Sequence, residues 1–277
     1  MLRIDAHQHF WEFNPGRDTW ITGDMKVIQQ DFMPTDLEAL LVTNGLDGCV
    51  AVQSDQSEEH NQFLLSLAGK YDFIKGVVGW VDLQSEQVKD RLDYYSQFEK
   101  CKGFRHVLQA EQDEAFMLRK DFLRGIAALQ PYGFTYDILI FPNHISYAAQ
   151  LVSSFPDQRF VIDHVAKPYI KDKRIDEWKR DITAIAGNEN VWCKISGMVT
   201  EADWKFWTLD DLRPYLDIVM EAFGPGRLMF GSDWPVCLLA ATYNQWVDAF
   251  NQYASEFSAG EQSALWGGNA AHFYQLT

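Results

Sequence analysis

Ile4-Asp5-Ala6-His7-Gln8-His9-Phe10-Trp11, reached after Met1-Leu2-Arg3, decides between two α/β folds. Short apolar runs of strand length alternate with longer amphipathic segments along the chain, a pattern shared by an open doubly wound sheet and a closed barrel. A nucleotide-binding doubly wound sheet needs a glycine-rich turn after its first strand. Here that place holds His7-Gln8-His9-Phe10-Trp11, and neither G-x-G-x-x-G nor G-x-x-x-x-G-K occurs in the sequence. Strands are expected near residues 2–6, 48–53, 74–80, 103–107, 134–140, 159–164, 191–195 and 227–232. Pro34-Thr35-x-x-Glu38 and Ser258-x-x-Glu261 read as helix-capping boxes, and glycines at 45, 133, 187 and 224 as helix stops. Eight strands with helices between them predict one (β/α)8 TIM barrel over residues 1–277, with departures from ideal symmetry allowed.

The 277 residues carry a formal net charge of -15, 47% hydrophobic residues and ten tryptophans. An acidic balance opposes binding to the phosphate backbone of nucleic acid. No run of about 18 apolar residues could cross a membrane, and no signal-peptide pattern opens the chain, so the expected location is cytoplasmic. Cys49, Cys101, Cys193 and Cys237 lack C-x-x-C spacing and read as reduced core residues. A homo-oligomer is compatible with this composition.

In a barrel, chemistry gathers at the C-terminal strand ends. The first strand ends in His7 and His9, which share a face at i, i+2 spacing. The sixth ends in Asp163-His164 and runs into Val165-Ala166-Lys167-Pro168; the eighth ends in Asp233 before Trp234-Pro235. Three imidazoles and a carboxylate form a zinc-like ligand set, with the carboxylate also able to hold an attacking water. Each member also has a structural reading: a hydrogen-bonded core histidine for His164, a turn cap for Asp233. Trp11, Trp80 and Trp234 stand near strand ends, where a flat face can stack on a sugar ring, although most tryptophans are core. Gln109 and Lys167 are loop candidates for sugar hydroxyls or, equally, solvated surface residues. His60 and His272 have no partner pattern and read as structural.

The segments Ile4 to Trp11, Gly103-Phe104-Arg105-His106, Asp163 to Pro168 and Gly231-Ser232-Asp233-Trp234-Pro235 together resemble the amidohydrolase superfamily, in particular its amidohydrolase 2 group. The middle two resemble the branch with L-fucono- and L-rhamnono-lactonases. The resemblance implies that His7, His9 and His164 are metal-site residues and that Asp233 is the general base. Many superfamily members bridge two metals through a lysine at the end of strand four, but this chain has Arg105-His106 there, and strand five lacks a terminal histidine. At most one divalent metal, zinc or manganese, is therefore expected, and lactonases of this branch are expected to tolerate its loss.

Lactone hydrolysis needs a base for water and donors for the developing oxyanion. Asp233 with His164 beside it is the candidate base. Arg105 and His106 are candidates to polarise the carbonyl, and strand alternation leaves open which of them faces inward. The leading reading is a hydrolase opening a sugar-derived lactone to the aldonate. Alternatives are a metal-dependent decarboxylase of the same broad family, which should collapse on chelation, and a non-catalytic sugar-acid binding protein.

Overall fold

In this computed structural model, which describes residues 2–277, eight parallel strands form one sheet in the order β1-β2-β3-β4-β5-β6-β7-β8. They are β1 (Ile4–Gln8), β2 (Gly48–Val52), β3 (Ile74–Gly79), β4 (Cys101–His106), β5 (Thr135–Ile138), β6 (Phe160–Ile162), β7 (Val191–Ile195) and β8 (Leu228–Phe230). Sequential order excludes the doubly wound alternative, whose order reverses at a switch point. The sheet closes just beyond the end of β8: the His9 N–H donates to the Trp234 carbonyl at 2.7 Å, and the Asp233 N–H to the His7 carbonyl at 2.8 Å.

Helices α1 (Pro34–Thr43), α2 (Glu58–Lys70), α3 (Val88–Ser96), α4 (Lys120–Leu129), α5 (Ile145–Ser154) and α6 (Asp176–Ala186) follow the first six strands. A short α7 (Met198–Glu201) and then α8 (Leu209–Phe223) follow β7, and α9 (Tyr243–Ala254) follows β8. The helical period sets the buried face: Phe122, Gly125, Ile126 and Leu129 of α4 repeat at i, i+3, i+4 and i+7 and are all buried. Each large apolar side chain so covered contributes about 1.5–3 kcal/mol.

The Ser258 box forms as expected, with the Glu261 carboxylate accepting the Ser258 N–H at 2.8 Å. The box expected at Thr35 is shifted. Pro34 supplies the preset φ of the first helical turn, so Met33 becomes the cap, and its N–H donates to Asp36 at 2.8 Å. The four expected glycines stand at helix ends, and the four cysteines are free and buried. No helix among the described residues is long and apolar enough to cross a membrane.

The barrel interior is divided. Ile4, Ala6, Val50, Val52, Val78, Val161 and Met229 form an apolar layer, sealed by Ala270, Phe273 and Tyr274 from a C-terminal helix, α11 (Asn269–Tyr274). α10 (Ala259–Ser263) leads into it. Above this layer the interior turns polar, which is unusual for strands buried on both faces.

Candidate active site

Three strand ends, those of β1, β6 and β8, converge at the C-terminal mouth. The β1–β2 register shifts between Asp5 and Gln8, and His7 and His9 meet with Nε2 atoms 3.2 Å apart and rings nearly perpendicular. His9 Nδ1 lies 2.7 Å from the Val52 carbonyl, which can only accept, so Nδ1 carries the proton and the Nε2 lone pair faces the mouth. His164 begins a run of left-handed residues, with φ of 54° at His164, 47° at Val165, 59° at Ala166 and 48° at Lys167. Such backbone costs about 1–2 kcal/mol per residue for L-amino acids, and the β-branched Val165 is the least suited to it. Strain of this kind concentrates where a side chain must be aimed. The run holds the His164 ring against Ser196, whose Oγ is 2.9 Å from Nδ1.

Asp233 completes the set. Its Oδ1 lies 3.3 Å from His9 Nε2, 3.8 Å from His7 Nε2 and 3.9 Å from His164 Nε2. All four side chains are buried. Burial holds His7 and His164 well below the usual histidine range, so both are neutral at pH 7. Burial pushes the Asp233 carboxyl up, but interactions with His164 and His9 outweigh it and leave the group below the ordinary carboxylate value. Asp233 Oδ1 and His9 Nε2, 3.3 Å apart, need a proton or a cation between them. His7, His164 and Asp233 offer ligand atoms within 4.8 Å of one another, and nitrogen with oxygen donors suits zinc or manganese.

Beneath the imidazoles lies a buried ionic layer. Arg105 of β4 points inward: Nη1 donates to Asp163 Oδ2 at 3.0 Å and lies 3.3 Å from His7 Nε2, while Nη2 donates to the Gln53 carbonyl. Lys194 of β7 lies 2.5 Å from Asp137 Oδ2, 3.0 Å from Asp163 Oδ1 and 3.1 Å from His7 Nδ1. Tyr274 OH donates to Asp137 at 2.8 Å. The inward direction is thus settled for β4. His106 points the other way, with Nε2 2.8 Å from Glu111, Nδ1 accepting the Trp80 indole N–H at 3.3 Å, and its ring stacked on Phe116.

Above the floor of His9, Arg105, His164 and Asp233 opens a chamber of about 420 Å³. Its walls include Trp20, Ser54, Asp55, Gln56, Gln109 and Lys167. Gln109 and Lys167 therefore reach the place expected for them, and Lys167 Nζ also lies 3.9 Å from Glu201. Trp11 and Trp234 sit elsewhere: they are 1% and 2% exposed and pack on Phe32. Trp80 is half-buried on His106, outside the chamber wall. The exposed ring at the chamber is Trp20, propped edge-on by Trp11 with centroids 5.9 Å apart. The sequence reading missed Trp20, the Ser54-Asp55-Gln56 run and the charged layer. A polar run directly after β2, and charges inside apolar strands at Asp137 and Lys194, were the available signals. His60 is buried with Nε2 3.2 Å from the Phe10 carbonyl, His272 stacks on Trp192, and His144 caps its own turn at Phe141.

A parallel barrel whose mouth gathers three imidazoles and an ionised carboxylate is the architecture of a metal-site barrel hydrolase. The chain belongs to the amidohydrolase family, whose model, described as Amidohydrolase, matches residues 4–276. An L-fucono-1,5-lactonase of Burkholderia multivorans is 41% identical over 286 residues, covering 99% of this chain and 96% of that protein. An L-fucono-1,5-lactonase of Burkholderia ambifaria is 36% identical, with 99% and 96% covered. The crystal structure of an amidohydrolase from Burkholderia multivorans with bound zinc superposes with a TM-score of 0.97 at 40% identity over 100% of both chains.

Proposed function

We propose that this protein hydrolyses a sugar-derived lactone, of the L-fucono- or L-rhamnono-lactone type, to its aldonate. The observation that carries this reading is Asp233, a buried carboxylate held ionised at the floor of a polar chamber large enough for a small sugar ring. Full-length similarity to two L-fucono-1,5-lactonases supports the substrate class.

Asp233 takes a proton from water as the oxygen attacks the lactone carbonyl carbon. The oxyanion develops towards the Arg105 guanidinium, whose fixed charge in a water-poor site contributes on the order of 3 kcal/mol. Cleavage of the ring C–O bond then leaves an alkoxide, which recovers the proton from Asp233. His164, neutral and aimed by Ser196, keeps the carboxylate oriented. Trp20 stacks on the sugar, and Gln109 and Lys167 bind its hydroxyls. His106, bonded to Glu111, shapes the chamber wall at 107–111 rather than touching the carbonyl. His7, His9, His164 and Asp233 are the residues that would hold one zinc or manganese ion, whose chemistry when bound is Lewis-acid polarisation and a more acidic water. Free buried cysteines accord with a cytoplasmic location.

A pH-indicator assay on a panel of L-fucono-, L-rhamnono- and D-galactono-lactones tests the reading. The protein should open at least one, and Asp233→Asn should reduce turnover by about 100-fold or more while substrate binding persists. Spontaneous rates across the panel, or full turnover in the variant, would refute it; binding without turnover in the parent protein would mark a sugar-acid binding protein.

A further inference from the structure

The hydrolytic reading leaves Lys194 without a task, although its ammonium is fully buried directly below His7. Each ring nitrogen of His7 has a fixed cation beside it: Lys194 Nζ at 3.1 Å from Nδ1 and Arg105 Nη1 at 3.3 Å from Nε2. A guanidinium only donates, so it occupies the same Nε2 lone pair that a metal ion would need. Lys194 acts through its charge: an ammonium 3.1 Å from Nδ1 opposes a further cation on the same ring. Asp163 Oδ1, 3.2 Å from Nδ1, holds the ring proton there, which leaves the Nε2 lone pair to the Arg105 guanidinium.

Charge balance points the same way. The layer holds two cations, Arg105 and Lys194, against three carboxylates, Asp137, Asp163 and Asp233, with His7, His9, His164 and the Tyr274 phenol as its other polar members. With neutral imidazoles its net charge is one negative. A divalent ion would leave one net positive charge buried where the effective dielectric is low. Without one of the two cations, the same ion would bring the layer to neutrality.

We infer that Arg105 and Lys194 hold down the affinity of the His7, His164 and Asp233 set for divalent cations, with the Arg105 guanidinium as the resident partner of the His7 Nε2 lone pair. This rests on the reading that these three residues form the cation site.

The test is zinc binding, measured by competition with a chromophoric chelator on metal-stripped protein, independent of turnover. Arg105→Met should bind zinc at least tenfold more tightly than the parent protein. Lys194→Met should shift affinity in the same direction, and Arg105→Lys, which keeps the charge, should stay within about threefold of the parent. His164→Ala should abolish the binding. Circular dichroism establishes that each variant is folded. Each single removal leaves Asp163 with one remaining cation, so if one Met variant fails to fold, the other carries the test. Zinc affinity unchanged or weakened in a folded Met variant overturns the inference while leaving the cation site standing. Zinc affinity unaffected by His164→Ala overturns the site reading, and the inference with it.

Discussion

Gly197 provides the sharpest test of how the site is aimed. It follows β7 with φ of +62°, and a Cβ placed on it would lie 2.5 Å from His164 Nδ1, 2.7 Å from Cγ and 2.9 Å from Cβ. Restoring van der Waals separation requires the imidazole to retreat by about 1 Å. It has nowhere to go without loss, because Nδ1 is bonded to Ser196 Oγ at 2.9 Å and the backbone is already left-handed. Gly197→Ala should therefore cost about 1–2 kcal/mol for the backbone and about 1–3 kcal/mol for the overlap. At roughly 2–4 °C per kcal/mol, Tm should fall by at least about 4 °C. A displacement of that size at a reacting group should lower kcat/KM for the lactone by about 100-fold. Gly133→Ala is the matched control, since Gly133 has φ of +74° but nothing within 4 Å of an added Cβ. It should lose stability from the backbone alone and keep full activity. If Gly197→Ala retains kcat/KM within about threefold of that control, the placement of His164 by Gly197 and Ser196 is wrong.

Three further outcomes are expected. Trp20→Ala should raise KM by about 3- to 10-fold with a smaller change in kcat, since a stacked ring contributes about 0.5–1.5 kcal/mol; steady-state kinetics in which only kcat falls would remove Trp20 from substrate binding. His106→Ala should likewise act mainly on KM, through loss of the Glu111 and Trp80 bonds that hold the 107–111 wall, and a kcat loss of about 100-fold with KM unchanged would instead make His106 a carbonyl-polarising group. Burial pushes Asp5 up to about 6, despite bonds from Ser232, His7 and Tyr243. The folded state thus holds the Asp5 proton more tightly than the unfolded chain, so this group lowers stability progressively as pH rises from about 4 to about 6. Asp5→Asn should gain on the parent protein across that window, by about 2 kcal/mol between pH 4.5 and 7.5 in urea unfolding, and a pH-independent gap would contradict the assignment.

The ligand-like residues were legible because their signals are local. His7 and His9 sit two apart on a strand, His164 and Asp233 end apolar runs, and the topology of a barrel brings such ends together whatever the loops do. The substrate walls were not legible, because tryptophans look alike in sequence. Trp11 and Trp234 are adjacent to the key motifs yet pack into the core, while Trp20, in the long segment between β1 and α1, turns its face to the chamber. Arg105 and His106 show a second limit. A period of two says that neighbours face opposite sides, and only the strand pairing, which sets Arg105 opposite Asp137, says which side is inside. The buried layer was signalled by Asp137 and Lys194 inside strands that should be apolar on both faces, a conflict between local pattern and global fold of the kind expected at functional sites.

Barrel closure and site assembly turn out to be the same set of bonds. β1 and β8 meet through His9 N–H to Trp234 and Asp233 N–H to His7, and the Asp5 carboxylate clamps the seam by accepting the Ser232 N–H at 2.8 Å and the Tyr243 hydroxyl at 3.1 Å. The backbones of His7, His9 and Asp233 close the cylinder, while the side chains of His9 and Asp233 help form the chamber floor and that of His7 is buried beside them. Two kinds of substitution should therefore separate cleanly. Asp233→Asn keeps the main-chain seam, so its loss of turnover reports chemistry, and its Tm should stay close to that of the parent protein. A change at Ser232, whose Oγ accepts the Trp234 N–H at 2.9 Å, or at Tyr243 leaves every floor side chain in place chemically but loosens the seam that aligns them. Tyr243→Phe removes one donor from a buried carboxylate, a loss of about 1–3 kcal/mol, and activity should fall in proportion to the population of opened seam rather than through any change in pH profile.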